Sequence, residues 1–259
     1  MKATFLGTGT SVGVPVIGCD CPVCRSSNPQ NKRRRASLYF EAAGTHIVVD
    51  TPPDFRDQAL AYNIRRVDAV LFTHSHADHI FGFDDIRRFN TIQQSVIPAY
   101  ASSGTMTDLK RVFDYIVSGE ETQGLFRPRI EFREVSGPFD VGAVHVTPLS
   151  VIHGAKPTLG YLFESENRRM AYVPDCCEMS DEVVEKLRGV HIMVLDALRH
   201  RPHKTHFNIN DSVALLKRIS AERSYLIHMC HDVDHDETEK LLANEGPIHL
   251  SYDGLVVEV

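Results

Sequence analysis

The sequence contains no uninterrupted apolar run of about 18 residues, the length a helix needs to cross a bilayer, so no membrane span is expected in its 259 residues. Its opening stretch, MKATFLGTGTS, lacks the hydrophobic centre of a signal peptide, and a cytoplasmic location is the default expectation. Positive charge is not in excess either. Lys and Arg number 28 against 34 Asp and Glu, a net −6 with His neutral. This argues against a bulk electrostatic grip on long nucleic acid. A small anionic substrate stays open, because a bound cation supplies positive charge locally. Low-complexity linkers and short-period repeats are also missing, and residues 1–259 read as a single domain. Cysteine is sparse: Cys19, Cys21 and Cys24 cluster, Cys176 and Cys177 adjoin, and Cys230 stands alone. In a reducing compartment such a tight trio points to metal rather than disulfides.

What is present is a succession of short β-rich runs. They cover Ala3–Leu6, Ser37–Phe40, His46–Val49, Ala69–Phe72, Ile130–Phe132, Val144–Thr147, Tyr161–Glu164, Met170–Val173, His191–Leu195, Ser224–Ile227 and Gly254–Val257. Helical patterns are interleaved. Leu109, Val112, Phe113 and Ile116 fall at i, i+3, i+4, i+7, which predicts one helix face, and Phe83, Ile86 and Phe89 make a similar stripe. Ser180 is placed to cap a helix through Val183, Val184 and Leu187 that stops at Gly189. Asn210 is placed to cap another through Val213, Leu216 and Ile219. The mixture suggests an α/β protein with sheets packed face to face and helices outside. The loop GTGTSVG, Gly7 to Gly13, is spaced G-x-G-x-x-x-G and runs into Pro15, so it is read as a tight turn and not as a dinucleotide fingerprint. Lys32-Arg33-Arg34-Arg35 is a dense basic run, read as a solvated loop or, more sharply, as a phosphate-holding edge.

The stretch THSHADHIFG, directly after the apolar run Ala69 to Phe72, sets His74, His76, Asp78 and His79 in the pattern H-x-H-x-D-H. Imidazoles and carboxylates at this density suit zinc, manganese or iron. Four ligands from one loop do not complete two centres, each of which needs about three protein ligands and an open position. His153, Asp175 and His228 each follow an apolar strand and are the ligand-type residues that complete the set.

These motifs resemble the metallo-β-lactamase superfamily over essentially the whole chain: the G-T-G-T-S loop, H-x-H-x-D-H, then single His, Asp and His ligands in order. The resemblance implies a four-layer αββα sandwich with two divalent ions. By it, His74, His76 and His153 would hold one ion, Asp78, His79 and His228 the other, and Asp175 would bridge both. A complete second-ion set favours phosphodiesterase-like branches over true β-lactamases. Two cations make a nucleophile from water at neutral pH and spread charge on phosphoryl oxygens, and a departing alkoxide then needs a proton. His206, in RPHKTHFNIND, is the candidate acid, ahead of His200, His203 and His191. Asp78 is the other candidate catalytic group, doubling as a ligand.

Cys19, Cys21 and Cys24, spaced C-x-C-x-x-C, suit a structural zinc that wants a fourth ligand. His231, three residues after His228, is the expected one, and Cys230 is its rival. The trio together with H-x-H-x-D-H resembles the PhnP-like phosphodiesterases of carbon–phosphorus lyase pathways. That resemblance implies a small, cyclic ribose or other phosphodiester as substrate, manganese or zinc in the active site, a structural zinc and a homodimer. The family stretch reads H-x-D-x-N where this chain has His206-Phe207-Asn208-Ile209-Asn210, which puts the tuning of His206 in question. Asp196 is expected to support the site from behind the ligands. The alternatives are a ribonuclease Z-like tRNA-processing enzyme, whose long Gly/Pro-rich arm has no counterpart here, and a non-catalytic protein resembling quinone-biosynthesis protein B, whose active-site motif is degraded.

Overall fold

A computed structural model describes residues 1–117 and 126–259. In chain order the first half contributes β1 (Lys2–Gly7), α1 (Pro22–Arg25), β2 (Ser37–Ala42), β3 (Thr45–Val49), α2 (Phe55–Ala61), β4 (Ala69–Leu71), α3 (Ala77–Ile80), α4 (Ile86–Gln93), β5 (Ile97–Ala101), α5 (Ser103–Val112), α6 (Asp114–Val117) and β6 (Ile130–Glu134). The second half contributes β7 (Phe139–Val141), β8 (Val144–His153), β9 (Lys156–Ser165), β10 (Arg168–Val173), α7 (Asp181–Leu187), β11 (Ile192–Asp196), α8 (Ile209–Ile219), β12 (Arg223–Ile227), α9 (His235–Leu242), β13 (Ile248–Leu250) and β14 (Val256–Glu258).

Among the described residues these strands make two seven-stranded sheets, ordered β14-β1-β2-β3-β4-β5-β6 and β13-β12-β11-β10-β9-β8-β7. Each sheet is antiparallel at one end and parallel at the other: β3 to β6 run parallel in the first, β10 to β13 in the second. Parallel strands are covered on both faces and need continuous apolar sequence, which is what Ala69–Leu71, Ile192–Leu195 and Tyr225–Ile227 provide. The inner faces meet in a core that includes Phe5, Phe40, Tyr161 and Phe163. α7, α8 and α9 cover the outer face of the second sheet through residues such as Val184, Leu216 and Leu242. The helices of the first half cover the other through Phe55, Phe83, Phe89 and Leu109. This is the expected αββα layering.

Several local expectations are corrected. The stripe Leu109 to Ile116 is not one helix: α5 ends at Val112, α6 begins at Asp114, and Val112 is 42 % exposed. Asn208, not Asn210, caps α8, its side chain accepting from the Asp211 amide at 3.0 Å. Ser180 does cap α7, accepting from the Val183 amide. β8 and β9 form a hairpin of ten residues a side, longer than the runs read from the sequence. β5, β7 and β13 were not expected. The basic run is not simply a solvated loop. Arg33 is buried at 1 % exposure, donating to the Cys230 and Val233 carbonyls, and burial lowers its guanidinium to about 10. Arg35 is engaged by Asp54 and the Ser11 carbonyl.

The glycine loop is a close-approach device, as read. A Cβ on Gly7 would lie 2.1 Å from the Arg35 carbonyl oxygen, and one on Gly9 would lie 2.9 Å from Arg33 Cβ. Gly9 bridges Arg35 on one side and Met229 on the other, so the loop is laid down beside His228.

Candidate metal centre

The candidate ligands leave the carboxyl ends of strands in both sheets, where ligand sites of α/β folds collect. His74, His76, Asp78 and His79 follow β4, with His76 at the N-cap of α3. His153 closes β8, Asp175 follows β10 and His228 follows β12. His228 takes a left-handed backbone, φ 64°, an uncommon conformation for a residue with a side chain and one that collects at functional sites. That turn helps send the His228 and His231 rings to two different clusters.

The ligand atoms converge. His74, His76 and His153 offer atoms within 4.8 Å of one another, as do Asp78, His79 and His228. Asp175 lies between the two groups. Its carboxylate is 3.2 Å from His79 Nε2, 3.7 Å from His153 Nε2 and 3.4 Å from His228 Nε2. His79 Nε2, Asp175 Oδ2 and His228 Nε2 are buried with no hydrogen-bond partner. Buried polar atoms are rarely left unpaired, and several aimed at a common volume are what a cation shell requires. The donor set of nitrogen and carboxylate oxygen fits zinc, manganese or iron.

The outer nitrogens of His79 and His153 are fixed from behind, which selects the tautomer that leaves Nε2 facing inward. His79 Nδ1 donates to Asp50 at 2.8 Å, and Asp50 also accepts from the Thr73 amide and hydroxyl, each at 2.8 Å. Complete burial pushes the Asp50 carboxyl up, against the pull of His79. His153 Nδ1 donates to the Thr205 carbonyl at 2.8 Å. Asp50 escaped the sequence reading, although an Asp ending the apolar run His46–Val49 repeats the pattern of Asp175 and Asp196.

His206 lies at the rim, its ring stacked on His228 with centroids 4.8 Å apart and edge-on to His153. Its Nδ1 is hydrogen-bonded to Asp196 at 2.7 Å, and Asp196 also accepts from the Cys176 amide. Burial pushes His206 down and Asp196 well up, each toward its neutral form. Asn208 is occupied with Asp211. The partner of His206 is therefore Asp196, and the departure at position 208 leaves that pairing intact. Of the other histidines, His203 lies 5.2 Å from His206 by ring centroids, His200 contacts Thr238, and His191 accepts from the Arg169 amide away from the site.

A second cluster lies behind His228. The sulfurs of Cys19, Cys21 and Cys24 are 3.2, 3.6 and 3.6 Å from His231 Nδ1. A zinc tetrahedron with arms of 2.0–2.3 Å has edges of about 3.5 Å, so these four fit one ion. The Cys24 amide helps hold the Cys21 thiol down to about 7, while burial pushes Cys24 up to about 11. Cys230 points elsewhere, its sulfur accepting from the Asp232 amide.

Two facing mixed sheets with a histidine–aspartate cluster at their shared edge define the metallo-β-lactamase class of hydrolase. Residues 45–229 match the Beta-lactamase superfamily domain, and the chain belongs to that family. Within it the chain is PhnP-like: the crystal structure of a diphosphatase from the PhnP family is 40 % identical, superposes with a TM-score of 0.90, and is matched over 100 % of this chain and 97 % of that one. An octanoyltransferase of Porphyromonas gingivalis is 35 % identical over 260 residues, 98 % of this chain and 51 % of that protein, so the chain spans about half its length. Coenzyme PQQ synthesis protein B of Methylobacterium nodulans is 26 % identical over 76 % of this chain and 72 % of that protein. No helix among the described residues is long and apolar enough to cross a membrane.

Proposed function

We propose that the chain is a phosphodiesterase acting on small phosphodiesters, cyclic ribose phosphates among them, with two divalent cations in the cluster around Asp175. The observation that carries this reading is the coincidence of two complete three-ligand groups, joined by one buried carboxylate, with a His206–Asp196 pair at their rim. Manganese or zinc bound there would supply Lewis acidity toward water and phosphoryl oxygens.

The rest falls to the chain's own residues. His74, His76 and His153 would hold one cation and Asp78, His79 and His228 the other, with Asp175 shared. Asp50 and the Thr205 carbonyl keep His79 and His153 turned inward. Asp196, whose burial favours the protonated carboxyl, would hold His206 through Nδ1 and keep the ring proton on Nε2, which passes to the departing oxygen as Nδ1 takes the proton of Asp196. His153 and His228 wall that ring on two sides, which restricts its rotation and shields the proton transfer from bulk water. Cys19, Cys21, Cys24 and His231 would hold a structural zinc that anchors the loop bearing His228. The assembly we propose is a homodimer, checked by light scattering on the purified chain.

The relatives named for coenzyme PQQ synthesis mark the competing reading of a non-catalytic protein. The test is hydrolysis of bis(p-nitrophenyl) phosphate by natively purified protein, with p-nitrophenyl phosphate, a cephalosporin and a pre-tRNA as comparisons. Cleavage of the diester alone supports the proposal. Shortening of the pre-tRNA, or inactivity with every metal tried, overturns it.

A further inference from the structure

The first candidate ion shell is built from two chain segments that are far apart in sequence: the loop carrying His74 and His76, and the β8–β9 hairpin carrying His153. Their mutual position follows from a row of contacts that run in step along both. Tyr161 donates its hydroxyl to the Phe72 carbonyl at 2.7 Å. The Leu159 amide donates to the Thr73 carbonyl at 2.9 Å. At the solvent edge Lys156 Nζ donates to Ser75 Oγ at 3.1 Å. One segment ascends through 72, 73 and 75 while the other descends through 161, 159 and 156, so the row holds His74 and His76 against His153.

The last contact is closed by a third element. Asp108, on α5, accepts from Ser75 Oγ at 2.6 Å and from Lys156 Nζ at 3.1 Å. Ser75 is the residue between the two ligands of the H-x-H motif, and Lys156 pairs with His153 across the hairpin turn. His74 and His153 are buried and packed, whereas His76 is exposed. Of the three, His76 depends most on this outer contact for its position.

We propose that Ser75, Asp108 and Lys156 form a clasp that positions His76 and His153 toward one cation, the one they share with His74. This rests on the metal reading of the cluster. Lys156 and Asp108 are partly exposed, 47 % and 24 %, and an exposed ion pair adds little to global stability. The effect therefore belongs to ligand alignment and not to the melting temperature.

The experiment is a Mn2+ titration of the full chain followed by the free-ion electron paramagnetic resonance signal, with His153→Ala and His228→Ala as references for the two sites. Lys156→Ala and Asp108→Asn are expected to weaken about tenfold, the low end for groups that orient ligands, the step lost in His153→Ala. The step lost in His228→Ala should be unchanged, and Lys156→Arg should restore the first. Equal weakening of both steps, or of neither, overturns the clasp. So does a raised KM with both affinities intact, which would make Lys156 a substrate contact. If His153→Ala costs no Mn2+, the metal reading itself fails. A readout without metal guards against a concerted titration. Nitrogen-15 spectra of the metal-free chain should show the His76 and His153 rings shifted by Lys156→Ala and the His79 and His228 rings not. Unchanged spectra in all four overturn the proposal.

Discussion

Asp175 is in contact range of four imidazoles, those of His79, His153, His206 and His228, and no other side chain of the site has so many. Burial alone would raise its carboxyl, but His228 and His79 outweigh burial and hold it well below the usual range. That favours the carboxylate form, the one a bridge between two cations needs. Asp175→Ala and His76→Ala are expected to abolish diester hydrolysis while the far-ultraviolet circular dichroism stays native. Near-normal turnover in either variant would contradict the ligand assignment. His206 makes a different kind of contribution. Passing a proton to an alkoxide is worth about 10²–10⁴-fold, whereas a nitrophenolate departs without help. His206→Ala should lose that factor on alkyl diesters and little on nitrophenyl diesters. Equal losses on both would leave His206 no role as the acid. At this scale the seven candidate ligands, their types and their order, were legible in the sequence, and the structure brings their side chains together. Asp50 carries a signal, an Asp that ends an apolar strand, whereas nothing local sets Asp108 and Lys156 apart, whose partners lie many residues away.

At the scale of elements, the segment from Cys19 to Cys24 has little apolar material of its own. Its small cluster consists of Val14, Val23 and Cys24 with a few partly buried neighbours. The buried Arg33 and the converging side chains of Cys19, Cys21, Cys24 and His231 stand where a core would. Arg33 ties this region to the chain around Cys230 and Val233, next to His231. Cys21→Ser is expected to lose one equivalent of zinc and to lower the melting temperature, with His228 and the ligands of its ion disturbed through the shared turn. Metal content and Tm matching the wild type would remove the structural site. The elements themselves were legible where apolar residues alternate or run unbroken. β5 was missed because Pro98 demotes a strand in sequence reading, and β7 and β13 because three residues carry too little pattern. The helix over Leu109 to Ile116 was over-extended because periodicity does not register the break at Phe113, where Leu109, Phe113 and Ile116 stay buried while Val112 turns outward.

For the whole molecule, folding drives seven candidate ligand side chains, with Asp50 and Asp196 behind them, into a seam between two sheets, and burial of unpaired polar groups opposes this. Cations bound only by the folded state repay that cost by linkage: at a free concentration 100 times Kd each adds about 2.7 kcal/mol, worth about 5–10 °C in a chain of this size. Stripping the active-site ions with a chelator should lower the melting temperature by that order, and Mn2+ or Zn2+ should restore it. A Tm indifferent to chelation would mean that the cluster holds no ion. What the sequence determined by itself was local chemistry: which residues are of ligand type, which strands present them, that a cysteine trio accompanies them, and the αββα class to which that order belongs. Which histidines come together, why His206 answers to Asp196 and not to position 208, and how close His153 lies to His76 were decided by tertiary structure. Those relations are distances between the ends of strands in two different sheets, and such distances exist only once the sheets have packed.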